Sequence, residues 1–225
     1  MIKNWDALYD LQDRVIAWMN GIEQGFHLSG GTALSRGYYG HRYSEDLDFF
    51  VNDSPDFEAW RDACFTVLEQ ASAEEGWRVE ILRRQDKRFG RAIVHGAETL
   101  KLEFINDVPS RVGEPWRHPV LGMLDTKENI LANKVTAFID RKTAKDAADL
   151  YWLCCEDGLN ILDAIDGASG KVAGLFPPYV AKELDRWSNL GVPDVMWLKR
   201  PDPERFSKGF SRLVDLILSD DGDVE

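Results

Sequence analysis

Residues Phe26–Val51 read FHLSGGTALSRGYYGHRYSEDLDFFV. The apolar opening and the Gly30–Gly31 pair predict a short strand ending at the double glycine. A helix should begin near Thr32, a turn should fall around Gly40, and a second strand should run over about 46–51. Successive side chains of a strand face opposite ways, so Asp46 and Asp48 share one face while Leu47 and Phe49 share the other. Like charges held this close repel, and a hard divalent cation bridging them relieves the repulsion while leaving positions for phosphate oxygens. Asp46 and Asp48 are therefore candidate magnesium ligands. A solvated acidic face is the other reading of an Asp-x-Asp pair taken alone.

The residues just upstream bear on that choice. Gly30 and Gly31 let a backbone approach a ligand closely, and the N–H groups opening a helix at Thr32 favour an anion. The stretch has neither the lysine of a P-loop nor the spacing of a dinucleotide fingerprint. Downstream, KLEFI places Lys101, Glu103 and Ile105 on one strand face and Leu100, Leu102 and Phe104 on the other. If that strand lies beside the one carrying Asp46 and Asp48, Glu103 completes a two-metal cluster or acts as base on an attacking hydroxyl. A salt bridge to Lys101 or a nearby arginine is the competing role. Lys127, Lys134 and Arg141 recur every seven residues along one helix face and could meet phosphates. Asp146 and Asp149 follow at the start of the next helix, where acids also suit the helix dipole.

Working outward, periodicity predicts an N-terminal helix over about 5–20 with Leu8, Leu11, Val15 and Trp18 on one side. A second helix follows Pro55, with Ser54 available as its cap and Phe57, Trp60, Cys64, Val67, Leu68 and Ala71 on one face. Strand-like runs at about 77–83, 91–95 and 100–105 suit an antiparallel meander, with which the sheet should end. After a Pro- and Gly-containing linker at about 107–123 the pattern is helical only, over about 126–141, 143–156, 160–167, 177–189 and 203–218. The expected division is a lobe of residues 1–120 and a helical lobe of 121–225, ending in a solvated acidic tail, SDDGDVE.

Of the 225 residues 44% are hydrophobic, enough to bury a core and to exclude global disorder. With 39 acidic against 27 basic side chains the net charge of −12 argues against indiscriminate coating of nucleic acid. Charge is segregated, however. Arg78, Arg83, Arg84, Lys87, Arg88 and Arg91 face only Glu80 and Asp86 within one meander, which could steer an RNA end. Three cysteines, two of them adjacent, form neither a disulfide framework nor a zinc spacing and read as buried thiols. No stretch reads as a signal peptide or membrane span, so the expected location is the cytoplasm. Arg42 is placed to touch a nucleotide or to pair with Glu45 or Asp46. Tyr38 and Tyr39 could stack on a base, although core packing is the commoner role, and the eight tryptophans show no interleaved basic–aromatic stripe.

In this order, GGTALSRGYYGHRYSEDLDFF, KLEFI and NKVTAFIDRKTAKDAADLYWL resemble the nucleotidyltransferase toxins of the AbiEii/AbiGii type over about residues 26–155. These are the enzymatic half of type IV toxin–antitoxin and abortive-infection phage-defence systems. The resemblance implies a polymerase-beta-like α+β fold, a mixed sheet with flanking helices followed by a C-terminal helical lobe. It also implies a magnesium-dependent enzyme that transfers NMP from NTP to a hydroxyl, on tRNA or other RNA, with an antitoxin encoded nearby. Carried over by position, Gly30, Gly31 and Thr32 hold the triphosphate, Asp46 and Asp48 the metals, Lys134 the phosphates, and Asp146 is a further essential acid. Glu103 is the third acid, a position that varies across the superfamily. Fourteen residues between Gly31 and Asp46, and Lys145 where arginine is usual, depart from the family pattern. A noncatalytic NTP-binding or partner-binding module and a small-molecule nucleotidyltransferase are the alternatives. The resemblance fades after about 156, so the acceptor surface is left undefined by it.

Overall fold

The computed structural model describes residues 3–171 and 175–220. Helix α1 (Trp5–Asn20) starts at Asn4, whose side chain accepts a 3.2 Å hydrogen bond from the Ala7 amide and so satisfies one free donor of the first turn. Leu8, Leu11, Val15, Ile16 and Met19 are its buried face. Trp18 lies at the edge of that face, with its indole N–H donating to Glu75 at 2.9 Å. Strand β1 (His27–Ser29) turns at Gly30 into a short helix, α2 (Gly30–Thr32), which continues as a π-helical segment over Ala33–Tyr39. Strand β2 (Leu47–Asn52) follows, then α3 (Phe57–Glu75). Ser54 Oγ accepts from the Asp56 amide, so it shapes the turn before α3 rather than capping the helix, which begins two residues later than Pro55.

The meander is present as β3 (Arg78–Arg83), β4 (Phe89–His95) and β5 (Thr99–Asp107), each antiparallel to the next. The sheet does not end there. The linker adds β6 (Trp116–His118) and β7 (Gly122–Leu124), an antiparallel pair in which β7 lies parallel to β1 through Leu28 and Leu124. Strands of three residues are too short for alternation to reveal. The seven-stranded order is β3-β4-β5-β2-β1-β7-β6, with β2 parallel to β5 and the fold class α+β.

One face of this sheet is fixed by aromatic packing. Phe104 on β5 meets Phe26 at 5.2 Å, Phe65 at 5.4 Å and Phe49 in a stacked pair at 5.5 Å. Leu47, Phe49, Leu102 and Phe104 are buried on that side. A slip of one residue in either strand would expose this whole set, so the register is strongly specified, and with it the opposite face that carries the acids.

Helices α4 (Lys127–Arg141), α5 (Ala144–Leu150), α6 (Ile161–Ser169), α7 (Pro177–Leu190) and α8 (Pro203–Asp220) follow, with α5 continuing as a π-helical segment, Tyr151–Glu156. Thr126, Thr143 and Asn160 cap α4, α5 and α6 with their side chains. The contacts divide the chain into two units. The first holds residues up to Gly37, Tyr43–Pro109 and Glu114–Asp125; the second holds Tyr38–Arg42, Ser110–Gly113 and the chain from Thr126 onward. Hydrogen bonds explain the two short segments counted with the helices. The Val112 amide donates to Asn129, and the amides of Leu198 and Lys199 both donate to the His41 carbonyl at 2.9 Å. Tyr151, Phe206 and Phe210 form an aromatic part of the second core. No helix among the described residues is long and apolar enough to cross a membrane. Most of the acidic tail lies outside the described residues. Cys64 and Cys154 are buried free thiols, as composition suggests, while Cys155 is half-buried.

Candidate active site

In the first unit the sheet register brings Ser29 (β1), Asp48 (β2), Glu103 (β5) and Arg91 (β4) into one row of directly paired residues. Paired residues share a face, so the row runs across four strands opposite the Phe104 cluster. Asp46 precedes β2 on the same side of the alternation. Glu103 is bound by Arg91, with Nε at 2.9 Å and Nη2 at 2.5 Å from the same carboxylate oxygen. Lys101 puts its ammonium 3.1 Å from Asp46 and 3.4 Å from Glu103. Burial pulls that ammonium's pKa down, but the carboxylates of Asp46, Glu103 and Asp48 outweigh it and hold the pKa above the ordinary lysine value.

The backbone around the row is shaped for it. Gly30 has φ of +68°, and a Cβ there would stand 2.7 Å from Asp48 Oδ2, so only glycine leaves that space open. Thr32 donates its hydroxyl to the Asp46 carbonyl oxygen and shares a 2.9 Å hydrogen bond with Ser44 Oγ. Its side chain thus fixes the backbone that presents Asp46. Ser29 Oγ donates to Asp125 at 2.7 Å, tying β1 to the residue that follows β7.

The donor set fits a hard cation in part. Asp46 and Asp48 offer only carboxylate oxygens, and the Lys101 ammonium marks a place where positive charge is held between Asp46 and Glu103. Of the two roles open to the third carboxylate, the contacts are those of the salt bridge: Glu103 is held by Arg91 and Lys101. Among the described residues no group of three or more His, Cys, Asp or Glu is arranged to hold a metal ion.

Three other expected site residues lie in the second unit, around an acid to which the sequence assigns no leading role. Asp149 is fully buried and receives Arg42 Nε and Nη2 at 2.7 Å each, His41 Nε2 at 2.8 Å and Lys134 Nζ at 2.7 Å. Burial alone would raise its pKa; Arg42 and Lys134 instead hold it well below the usual carboxylate range. Arg42 is thus a double hydrogen-bond partner of Asp149. Lys134, 7% exposed, also sits 3.1 Å from Asp146, which takes Arg141 at 3.1 Å and the Thr143 hydroxyl at 2.6 Å. The seven-residue stripe is thus partnered by acids throughout, since Lys127 pairs with Asp157. His41 is buried, and desolvation lowers its pKa despite the Asp149 hydrogen bond. Along β3, β4 and the turn that joins them, Arg78, Arg83, Arg84, Arg88 and Arg91 each have a carboxylate partner, which mutes the positive field that their sequence spacing suggested.

The family model for the nucleotidyl transferase AbiEii toxin, type IV TA system, matches residues 17–184. The chain belongs to this nucleotidyltransferase toxin family. An uncharacterized protein of Aquifex aeolicus (strain VF5), aq_aa25, is 28% identical over 142 residues, 63% of each protein. This chain therefore matches less than two thirds of that relative's length. Among solved structures, a Helicobacter pylori protein described as a nucleotidyltransferase superposes with a TM-score of 0.63 at 22% identity, covering 100% of this chain and 99% of its own. JHP933 from Helicobacter pylori gives 0.62 at 22% identity over 98% and 94%. At these identities the two structures speak to the fold.

Proposed function

We propose that the protein is a magnesium-dependent nucleotidyltransferase that moves NMP from NTP to a hydroxyl of RNA, with tRNA the leading acceptor, and that an antitoxin protein is its partner in phage defence. The observation that carries this reading is the packing of Gly30 against Asp48 beside Asp46, a bare backbone bend next to two carboxylates on one sheet face. In this reading Asp46 and Asp48 hold magnesium, and the backbone of Gly30 and Gly31 faces the triphosphate. Bound magnesium would supply charge neutralisation on the phosphate oxygens. The acceptor oxygen attacks the α-phosphorus, the bond to the β-phosphate oxygen breaks, and the hydroxyl proton passes to a carboxylate of the row. Glu103, oriented by Arg91 and Lys101, shapes that row. Lys134, Asp146 and Arg42 serve by fixing the start of α5 around Asp149.

A noncatalytic NTP-binding module is favoured by one observation, the commitment of Glu103 to two cations. The deciding experiment incubates purified protein with each radiolabelled NTP, total tRNA and magnesium. Label transfer with pyrophosphate release, abolished in Asp48→Asn, is the expected result. NTP binding without pyrophosphate would select the noncatalytic reading, and no binding would reject both.

A further inference from the structure

Four stretches distant in sequence meet on the second unit. The rings of Tyr39 and Trp152 lie 5.9 Å apart at an interplanar angle of 36°, and Tyr38 stands 6.1 Å from Tyr39. None of the three is fully buried; all are partly exposed. Cations accompany them. Lys199 Nζ is 5.8 Å from the Trp152 ring centre; Lys127 Nζ is 5.9 Å from that of Tyr38, but its charge is met by Asp157, which also accepts the Tyr39 hydroxyl at 2.8 Å. Lys199 donates to the Tyr39 carbonyl at 2.5 Å, a neutral partner that leaves its charge uncompensated. Lys199 and the following Arg200 are exposed, and backbone hydrogen bonds to His41 hold their segment in place. The sequence shows no basic–aromatic stripe because the fold assembles one from residues 38–39, 152 and 199–200.

We infer that Tyr38, Tyr39 and Trp152, with Lys199 and Arg200, form a docking surface for single-stranded RNA. Partly exposed rings offer surface on which bases stack without regard to sequence, and Lys199 and Arg200 beside them meet the phosphates between those bases. On a chain of net charge −12, such a patch concentrates attraction for a polyanion in one place. Duplex RNA, its bases already stacked, gains little from the rings. The inference rests on the proposed reading only for the choice of RNA as ligand.

The test is fluorescence anisotropy with a labelled single-stranded RNA of about 12 nucleotides, within the footprint of such platforms, and with its duplex. The wild type should prefer the single strand. Lys199→Ala should weaken binding and lower the salt slope of log Kd by about 1, and Trp152→Leu should weaken binding about fivefold or more. Lys199 is exposed, so its variant keeps the fold and remains informative if Trp152→Leu does not. Failure of the wild type to bind, or unchanged Kd and salt slope in Lys199→Ala, would overturn the inference. If RNA is labelled by NTP with the same KM in wild type and Lys199→Ala, the surface falls and the transfer reading stands. Patch-dependent binding without any transfer would keep the surface and remove the transfer reading.

Discussion

A methyl group on Gly30 would stand 2.7 Å from Asp48 Oδ2, so the bend after β1 and the acid on β2 fit together only while residue 30 has no side chain. Gly30→Ala should therefore strain the chain twice, through a left-handed backbone and through displacement of the carboxylate. We expect a loss of about 1–2 kcal/mol in stability from the backbone alone, and weaker NTP binding than that loss explains. Chemical denaturation and calorimetric titration of NTP measure the two effects; an unchanged NTP affinity would detach Gly30 from the site.

Lys101 stands among Asp46, Asp48 and Glu103, and Lys101→Met leaves those acids facing one another. Its pKa is raised above 10.5 in the fold, so its contribution is complete below that pH and is lost as pH climbs through the raised value. The variant should melt lower at neutral pH, show a flatter alkaline limb, and gain more than the wild type from added magnesium, which can bind where the ammonium stood. Thermal melts across pH with and without magnesium are the check.

Asp149→Asn removes the shared counter-charge of Arg42 and Lys134, both buried. A lost partner in a buried ion pair costs about 3–5 kcal/mol, and the expected drop in a urea unfolding curve is of that size. Because the Asp149 pKa is depressed below 3.8, its contribution is present above that value and disappears as pH falls through the lowered one.

An earlier acid limb belongs to His41. Its pKa is lowered from 6.5, so the unfolded chain takes up a proton first, and stability should decline as pH drops below 6.5 toward the depressed value. His41→Gln keeps an N–H for Asp149 and should flatten this limb while leaving the Asp149 limb in place. A melt series from neutral to acid pH distinguishes the two.

Alternation in DLDFF and KLEFI is enough to separate acid faces from apolar faces, because a two-residue period is local and Phe49 and Phe104 bury only one side. Arg91 is not legible as the partner of Glu103, since only the β4–β5 register sets it opposite that residue. Asp149 is not legible as the partner of Lys134 for a related reason: a heptad stripe shows which residues share a helix face, and says nothing of an acid arriving against it from α5. The β6–β7 pair escapes notice because each strand is three residues long and the stretch is rich in turn formers. The aromatic–cation patch escapes because its members are scattered over much of the chain.

The parallel pairing of Leu28 with Leu124 also sets an order of events during synthesis. β1 emerges from the ribosome early, yet its neighbour on one side, and the Asp125 carboxylate that takes the Ser29 hydroxyl, arrive only after nearly a hundred further residues have been translated. Until then β1 has an open edge and Ser29 lacks its acceptor, so a chain arrested before that point would carry an unfinished sheet with a strand edge exposed to other chains.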